Sequence, residues 1–186
     1  MANPIRCKAC GYVTKEGKIK DICPACGVGA KMFEAYKDPV SKKRRMLLDL
    51  HLHPIMVHFP EAFTITLFIL AASSYFAPAS IEEALFSSIQ VISLLLPFFV
   101  ILSIITGLFD GKIRFRKVTT PLLKKIIIIG VLFLIISIAL AFVAFSEGIS
   151  ASPVREYFIL LTIIAVACGT GLGLLGGHLM DAKFPG

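Results

Sequence analysis

Charge is scarce in this chain. Asp, Glu, Lys and Arg make up only 17% of its 186 residues, whereas 56% are hydrophobic and the mean hydropathy is +0.84. A soluble domain of this length carries about 25% charged residues, so an ordinary globular enzyme with one aqueous surface is excluded. Nucleophile triads, a phosphate-binding glycine loop after a strand and a four-carboxylate di-iron pattern are also missing. The polar, basic and cysteine-rich start does not read as a cleavable signal peptide. Histidine is confined to His51, His53, His58 and His178, with none in the second or third apolar stretch and none in the far halves of the other two, so a relay of two bis-histidine haems across a membrane is excluded as well.

The charge that is present sits mostly at one end. Residues 1–45 hold eleven Lys and Arg against four Asp and Glu, and residues 46–186 hold eight of each. A basic polar head thus precedes an apolar body. A head this short needs a staple such as a metal to hold a fold. We read residues 1–38 as a metal-binding domain, 39–50 as a basic linker and 51–186 as a four-helix transmembrane domain.

Four stretches of the body lack charge for long enough to cross a bilayer, which takes about 20 residues. They run from Ala62 to Ile81, Ala84 to Phe109, Ile126 to Ser146 and Tyr157 to Met180. The first is expected to begin earlier, near His53-Pro54, because proline suits the first position of a helix. Continuous apolarity rather than alternation excludes barrel strands. The expected fold is an all-α transmembrane four-helix bundle with a small N-terminal metal-knuckle domain.

Basic residues set the expected orientation. Lys42, Lys43, Arg44 and Arg45 precede the first span, and Lys112, Arg114, Arg116, Lys117, Lys124 and Lys125 separate the second from the third. Glu82 and Glu83 are assigned to the first connection, and Glu147, Arg155 and Glu156 to the third. Both basic segments belong on the cytoplasmic side, with both termini. The expected location is a prokaryotic inner membrane, multi-pass. The basic runs read as lipid anchors rather than a nucleic-acid site.

Four of the five cysteines form two Cys-x-x-Cys-Gly knuckles, Cys7 to Cys10 and Cys23 to Cys26. Such knuckles aim backbone amides at the sulfurs, and four thiolates make a tetrahedral site for zinc or iron. Two disulfides would suit an oxidising compartment, which the orientation argues against. Cys168, alone in the last span, reads as a small packing residue.

The run Cys-x-x-Cys-Gly-Tyr-Val, the twelve residues from Gly11 to Ile22, Cys-Pro-x-Cys and then Phe33-Glu34 resemble the short rubredoxin-like domain of rubrerythrins, over Ile5 to Tyr36. The resemblance implies one iron on Cys7, Cys10, Cys23 and Cys26 that exchanges one electron, with Tyr12 and Phe33 packed beside it. The chain departs from that pattern at Ile5-Arg6, where an aromatic is common. Zinc ribbons share the knuckles, so zinc stays open.

Three of the histidines cluster where the first span starts, and His178 ends the last one. His58 lies five residues past His53, about 7.5 Å deeper in a helix. His58 and His178, both flanked by apolar residues, are the candidate axial ligands of a b-type haem, with His53 as alternative ligand and His51 as a solvated or capping residue. Gly169, Gly173 and Gly177 repeat every fourth residue; such a face suits close helix packing or a flat macrocycle. Glu61 is a candidate to hold a ligand histidine by a hydrogen bond or to relay a proton, against the plainer reading of an interfacial carboxylate paired with nearby basic residues. Asp110 is expected to offset Lys112.

His53-Pro-Ile-Met-Val-His58-Phe-Pro60, Thr106-Gly107-x-x-Asp110 and Gly176-Gly177-His178-Leu resemble an uncharacterised prokaryotic four-helix membrane family over about residues 50–180. The resemblance implies no assured activity. Together these readings imply an electron carrier, rather than a substrate-converting oxidoreductase, that moves single electrons between an Fe(Cys)4 centre and a haem. A quinone or redox protein would be its further partner, no nucleic acid is involved, and a homo-oligomer stays open. The rival is a zinc ribbon on a membrane scaffold or small transporter.

Overall fold

The computed structural model describes residues 3–37, 40–146 and 149–180. The expected boundary at 38–39, Glu147 and the last six residues lie outside these. Two compact units emerge, 1–45 and 46–185.

The first unit is built on a three-stranded antiparallel sheet in the order β2-β1-β3, from β1 (Pro4–Cys7), β2 (Val13–Lys15) and β3 (Phe33–Ala35). Pro4 pairs with Lys15, and Cys7 pairs with Phe33. A single 3-10 turn, Ala30–Met32, leads into β3. The described part of this unit buries only Cys7, Cys23 and Val40, so apolar burial cannot be its main source of stability.

The second unit is helical. A short basic helix, α1 (Lys42–Leu48), runs up to a break before α2 (Leu52–Ser73) and straddles the boundary between the units. His51 caps α2 in the left-handed region at φ 50°, where its Nδ1 lies 2.7 Å from the Asp49 carbonyl. Three further helices follow: α3 (Ala79–Phe115), α4 (Pro121–Ala144) and α5 (Val154–Met180). Each helix packs on the next, and α5 returns against α2 to close a four-helix bundle. All four are long and apolar enough to cross a membrane, and only 22–28% of each apolar window is buried within the protein. The remaining apolar surface, Phe142 and Leu174 among it, suits lipid rather than water.

Three boundaries differ from the sequence expectation. The first connection is the uncharged segment 74–78, not the Glu82-Glu83 pair. Ile81, Glu82 and Glu83 lie inside α3, where Pro78 is the N-cap and Glu82 sits in the first turn beside the positive end of the helix dipole. Arg155 and Glu156 likewise begin α5. At α4, Thr120 accepts from the Leu123 amide at 3.4 Å and Pro121 occupies the first turn, a start signal independent of charge.

The buried core runs along the bundle through Leu67, Leu96, Leu140, Phe158 and Ala165, and Cys168 joins it as a packing residue. Polar groups inside the bundle are handled locally. Pro60 has no amide to donate to the Met56 carbonyl one turn back, and Ser103 of α3 donates to that carbonyl instead, at 3.1 Å. Such an interhelical bond contributes about 0.6 kcal/mol on average within membranes. At the far end of α2, Arg155 lies over the Tyr75 ring at 4.4 Å, and the Tyr75 hydroxyl donates to Glu156 at 3.3 Å. That clasp ties the 74–78 segment to the start of α5.

Candidate metal centre

The two knuckles are built alike. In the first, the Gly11 amide donates to the Cys7 carbonyl at 2.9 Å and the Cys7 amide donates to the Tyr12 carbonyl at 2.8 Å. In the second, the Gly27 amide donates to the Cys23 carbonyl at 2.9 Å and the Cys23 amide donates to the Val28 carbonyl at 2.7 Å. Closing each turn takes a positive φ after the second cysteine, 79° at Gly11 and 76° at Gly27, which only glycine adopts without strain. The Cys-x-x-Cys-Gly spelling is thus a backbone requirement.

Folded together, the knuckles bring all four sulfurs within 4.8 Å of one another. Cys7 and Cys26 are 3.8 Å apart, as are Cys10 and Cys23. A tetrahedral ion with metal–sulfur bonds near 2.3 Å requires sulfurs about 3.8 Å apart, so the donor set fits a single zinc or iron ion. No other group of three or more such side chains comes together among the described residues. Cys7 and Cys23 are buried, while Cys10 and Cys26 are exposed, so one edge of the tetrahedron faces outward.

Electrostatics point the same way. Burial works against ionising Cys23, but the amides of Cys26 and Ala25, with the thiols of Cys26 and Cys10, outweigh it and bring its pKa down to about 7. The Val28 amide favours the Cys26 thiolate, yet the Cys10 thiol, burial and the thiols of Cys23 and Cys7 push that pKa up to about 12. Four thiolates held this close together repel one another. Only a cation lets four thiolates coexist.

Arg6, part of the Ile5-Arg6 departure from the resembled pattern, has a defined role. It donates to Glu34 across the β1–β3 ladder at 2.8 Å and lies over the Tyr36 ring at 5.1 Å. Its hydrogen bond, ahead of the Coulombic effects of Arg6 and Lys8, holds the Glu34 carboxyl below the usual carboxylate range. A carboxyl lowered on folding stabilises above its unfolded pKa, and that contribution fades as pH falls through the folded value. Glu34→Gln should therefore leave the head slightly less stable at neutral pH and flatten the acid side of its stability profile. Unfolding of the metal-loaded head followed between pH 3 and 7 checks this; an unchanged acid limb would contradict it. Of the two expected flanking aromatics, Phe33 is half-buried opposite Cys7, whereas Tyr12 is 38% exposed and gives only partial cover.

The remaining candidates lie in the helical unit. His58 is exposed on α2, its Nδ1 bonded to the Pro54 carbonyl. His178 is exposed near the end of α5. His53 turns instead toward α3. Its ring lies over Gly107, where a Cβ would come within 2.9 Å of Cε1, and its Nδ1 is 3.5 Å from the Thr106 hydroxyl. Asp110 pairs with Arg114 at 2.7 Å rather than with Lys112, because residues four apart share a helix face and residues two apart do not. Glu61 faces Gly169 and Gly173 of α5, with no ion pair or hydrogen bond among the described residues. The His53–Gly107 contact was not anticipated; the Thr106-Gly107 pair was its only trace in the sequence.

Residues 6–34 match the rubrerythrin rubredoxin-like domain. The match covers the four-cysteine head and stops short of the helices. No curated protein and no solved structure matches the chain.

Proposed function

We propose that this chain is a membrane-anchored electron-transfer protein whose head holds one iron ion on Cys7, Cys10, Cys23 and Cys26. The observation that carries this is the tetrahedral thiolate set inside a stretch that matches a rubredoxin-like domain, attached to four membrane-capable helices. Bound in such a site, iron supplies a one-electron ferric–ferrous couple. Cys7 and Cys23 hold it from the buried side, and exposed Cys10 and Cys26 keep it near the surface where a partner docks. The basic head steers acidic redox proteins toward it.

Residues 50–180 belong, on this reading, to the four-helix membrane family they resemble, in a prokaryotic inner membrane with both termini cytoplasmic. His58 and His178 would hold a b-type haem. In support, the Nδ1 bond to Pro54 leaves Nε2 of His58 free for a metal, and the two residues lie on helices that pack together. Both imidazoles are exposed, so a haem there would sit on the outer face of the bundle. A quinone or a soluble redox protein would be the onward partner.

A zinc ribbon on a membrane scaffold is the second reading, since zinc fits the same sulfurs. Colour and metal content of protein purified from its native host separate the two. The expected result is one iron per chain and a visible thiolate charge-transfer spectrum that bleaches reversibly on reduction. Stoichiometric zinc in a colourless protein would overturn the redox reading. Orientation is tested with reporters after residue 186 and within 74–78, which should report opposite sides, cytoplasmic for the former.

A further inference from the structure

Glu61 stands nine residues into α2, about 14 Å along a helix of about 33 Å. A carboxyl at this depth is costly to leave without a polar partner and marks a functional site by default. It opens onto a cleft of about 130 Å³ between α2 and α5, lined by Glu61, Thr64, Ile65, Gly169 and Thr170. Nothing on α5 crowds the carboxyl. A Cβ on Gly169 would lie 3.9 Å from Glu61 Cγ, and one on Gly173 would lie 3.6 Å from Oε1. The missing side chains of α5 are what leave the space.

The lining limits the occupant. Thr64 donates to the Pro60 carbonyl at 2.6 Å, so its oxygen presents lone pairs rather than a proton to the cleft. Thr170 is exposed and Ile65 is half-exposed, so the cleft opens on the side of two membrane-capable helices, where a ligand dissolved in lipid would reach it. Its volume is close to the roughly 150 Å³ of an engineered cavity that admits one benzene ring. A flat six-membered ring with polar oxygens, delivered through lipid, meets each condition.

We propose that this cleft binds the ring of a membrane quinone, with Glu61 hydrogen-bonded to one ring oxygen. Glu61 suits both forms of such a ligand. A protonated carboxyl donates to a quinone oxygen, and a carboxylate accepts from a quinol hydroxyl. The Thr170 hydroxyl can do either at the mouth of the cleft. The proposal rests on the electron-transfer reading for its biological sense, but the site itself is defined by residues of the bundle alone.

The test uses the full-length chain in lipid nanodiscs without any electron donor. A photoreactive azido-benzoquinone with a short alkyl tail is cross-linked with and without excess unlabelled short-chain benzoquinone, and labelled positions are mapped. Labelling should saturate, be competed, and fall within residues 61–65 and 165–173. Glu61→Leu should raise the half-saturating concentration about tenfold or more, the effect of losing one strong hydrogen bond. Gly173→Leu should abolish competed labelling. Should that variant fail to fold, Gly173→Ala, whose methyl makes only ordinary contact with Glu61, should still weaken it. Labelling that is not competed, that spreads over all lipid-facing helices, or that is unchanged in both Glu61→Leu and Gly173→Ala would overturn the site. An iron-bearing chain without competed labelling would remove this proposal alone, and competed labelling in a chain that carries only zinc would remove the electron-transfer reading alone.

Discussion

Cys23→Ser should empty the metal site and unfold the head while leaving the helical bundle intact. Cys23 is 1% exposed, and with Cys7 it makes up most of the buried side-chain set of residues 3–37 and 40–45. The head therefore has almost no apolar core to fall back on once the ion is lost. Apparent binding energies of structural zinc in comparable small four-ligand sites are on the order of 10–16 kcal/mol, more than a 45-residue unit can replace by burial. Metal content should drop below a tenth of the wild-type value, and limited proteolysis should cut within 8–34. Helical circular dichroism of the full chain should persist, because the bundle has its own core along Leu67, Leu96, Leu140 and Phe158. Cys10→Ser should be milder, since Cys10 is exposed and water can reach the position it leaves. A Cys23→Ser protein with full metal and a protease-resistant head would contradict the assignment of this thiolate.

The head was legible because its spacing encodes its backbone. Two Cys-x-x-Cys-Gly runs demand two left-handed glycines, and those turns place the sulfurs whatever the rest of the sequence does. Helix existence was legible for a similar reason, since long uncharged stretches have few alternatives in a bilayer. Helix ends were not. Absence of charge marks where lipid begins and ends, whereas the break at 74–78 lies within uncharged sequence. Its signals were Pro78 and the acidic first turn of α3, which are capping features rather than hydropathy. The α1 helix was hidden because Lys42–Arg45 carry enough charge to read as a linker. Least legible were contacts between helices. Which face His53 or Glu61 presents depends on helix rotation and crossing, and only packing revealed His53 over Gly107 and Glu61 over Gly173. Arg6 lay between these extremes: recognisable as a departure, but explained only once Glu34 appeared opposite it in the ladder.

His58→Ala and His178→Ala should each eliminate a low-spin haem spectrum from protein expressed with haem supplied, whereas His53→Ala should leave that spectrum in place and lower bundle stability. The contrast follows from where the imidazoles point. His58 and His178 are exposed on two helices that pack together, and neither fills space in the described core. Their removal should therefore cost a ligand and little packing. His53 is wedged over Gly107 between α2 and α3, so truncating it opens a void, and partly compensated voids of this kind cost about 1–3 kcal/mol. Each axial variant should shift the Soret band toward a five-coordinate, high-spin form or lose haem entirely, and the double variant should bind none. Thermal unfolding in detergent should separate the two classes: a lowered midpoint for His53→Ala with or without haem, and for the axial pair a lowered midpoint only in haem-loaded protein. Imidazole–iron bonds from α2 and α5 would tie the first and last transmembrane helices of the bundle together, so the haem-loaded wild type should be more stable than the haem-free chain. If His58→Ala and His178→Ala keep an unaltered low-spin spectrum, or if no haem is retained after haem-replete expression, the axial assignment is wrong. The bundle would then hold no haem on this pair, and the metal centre of the head would be the sole redox group proposed for the chain.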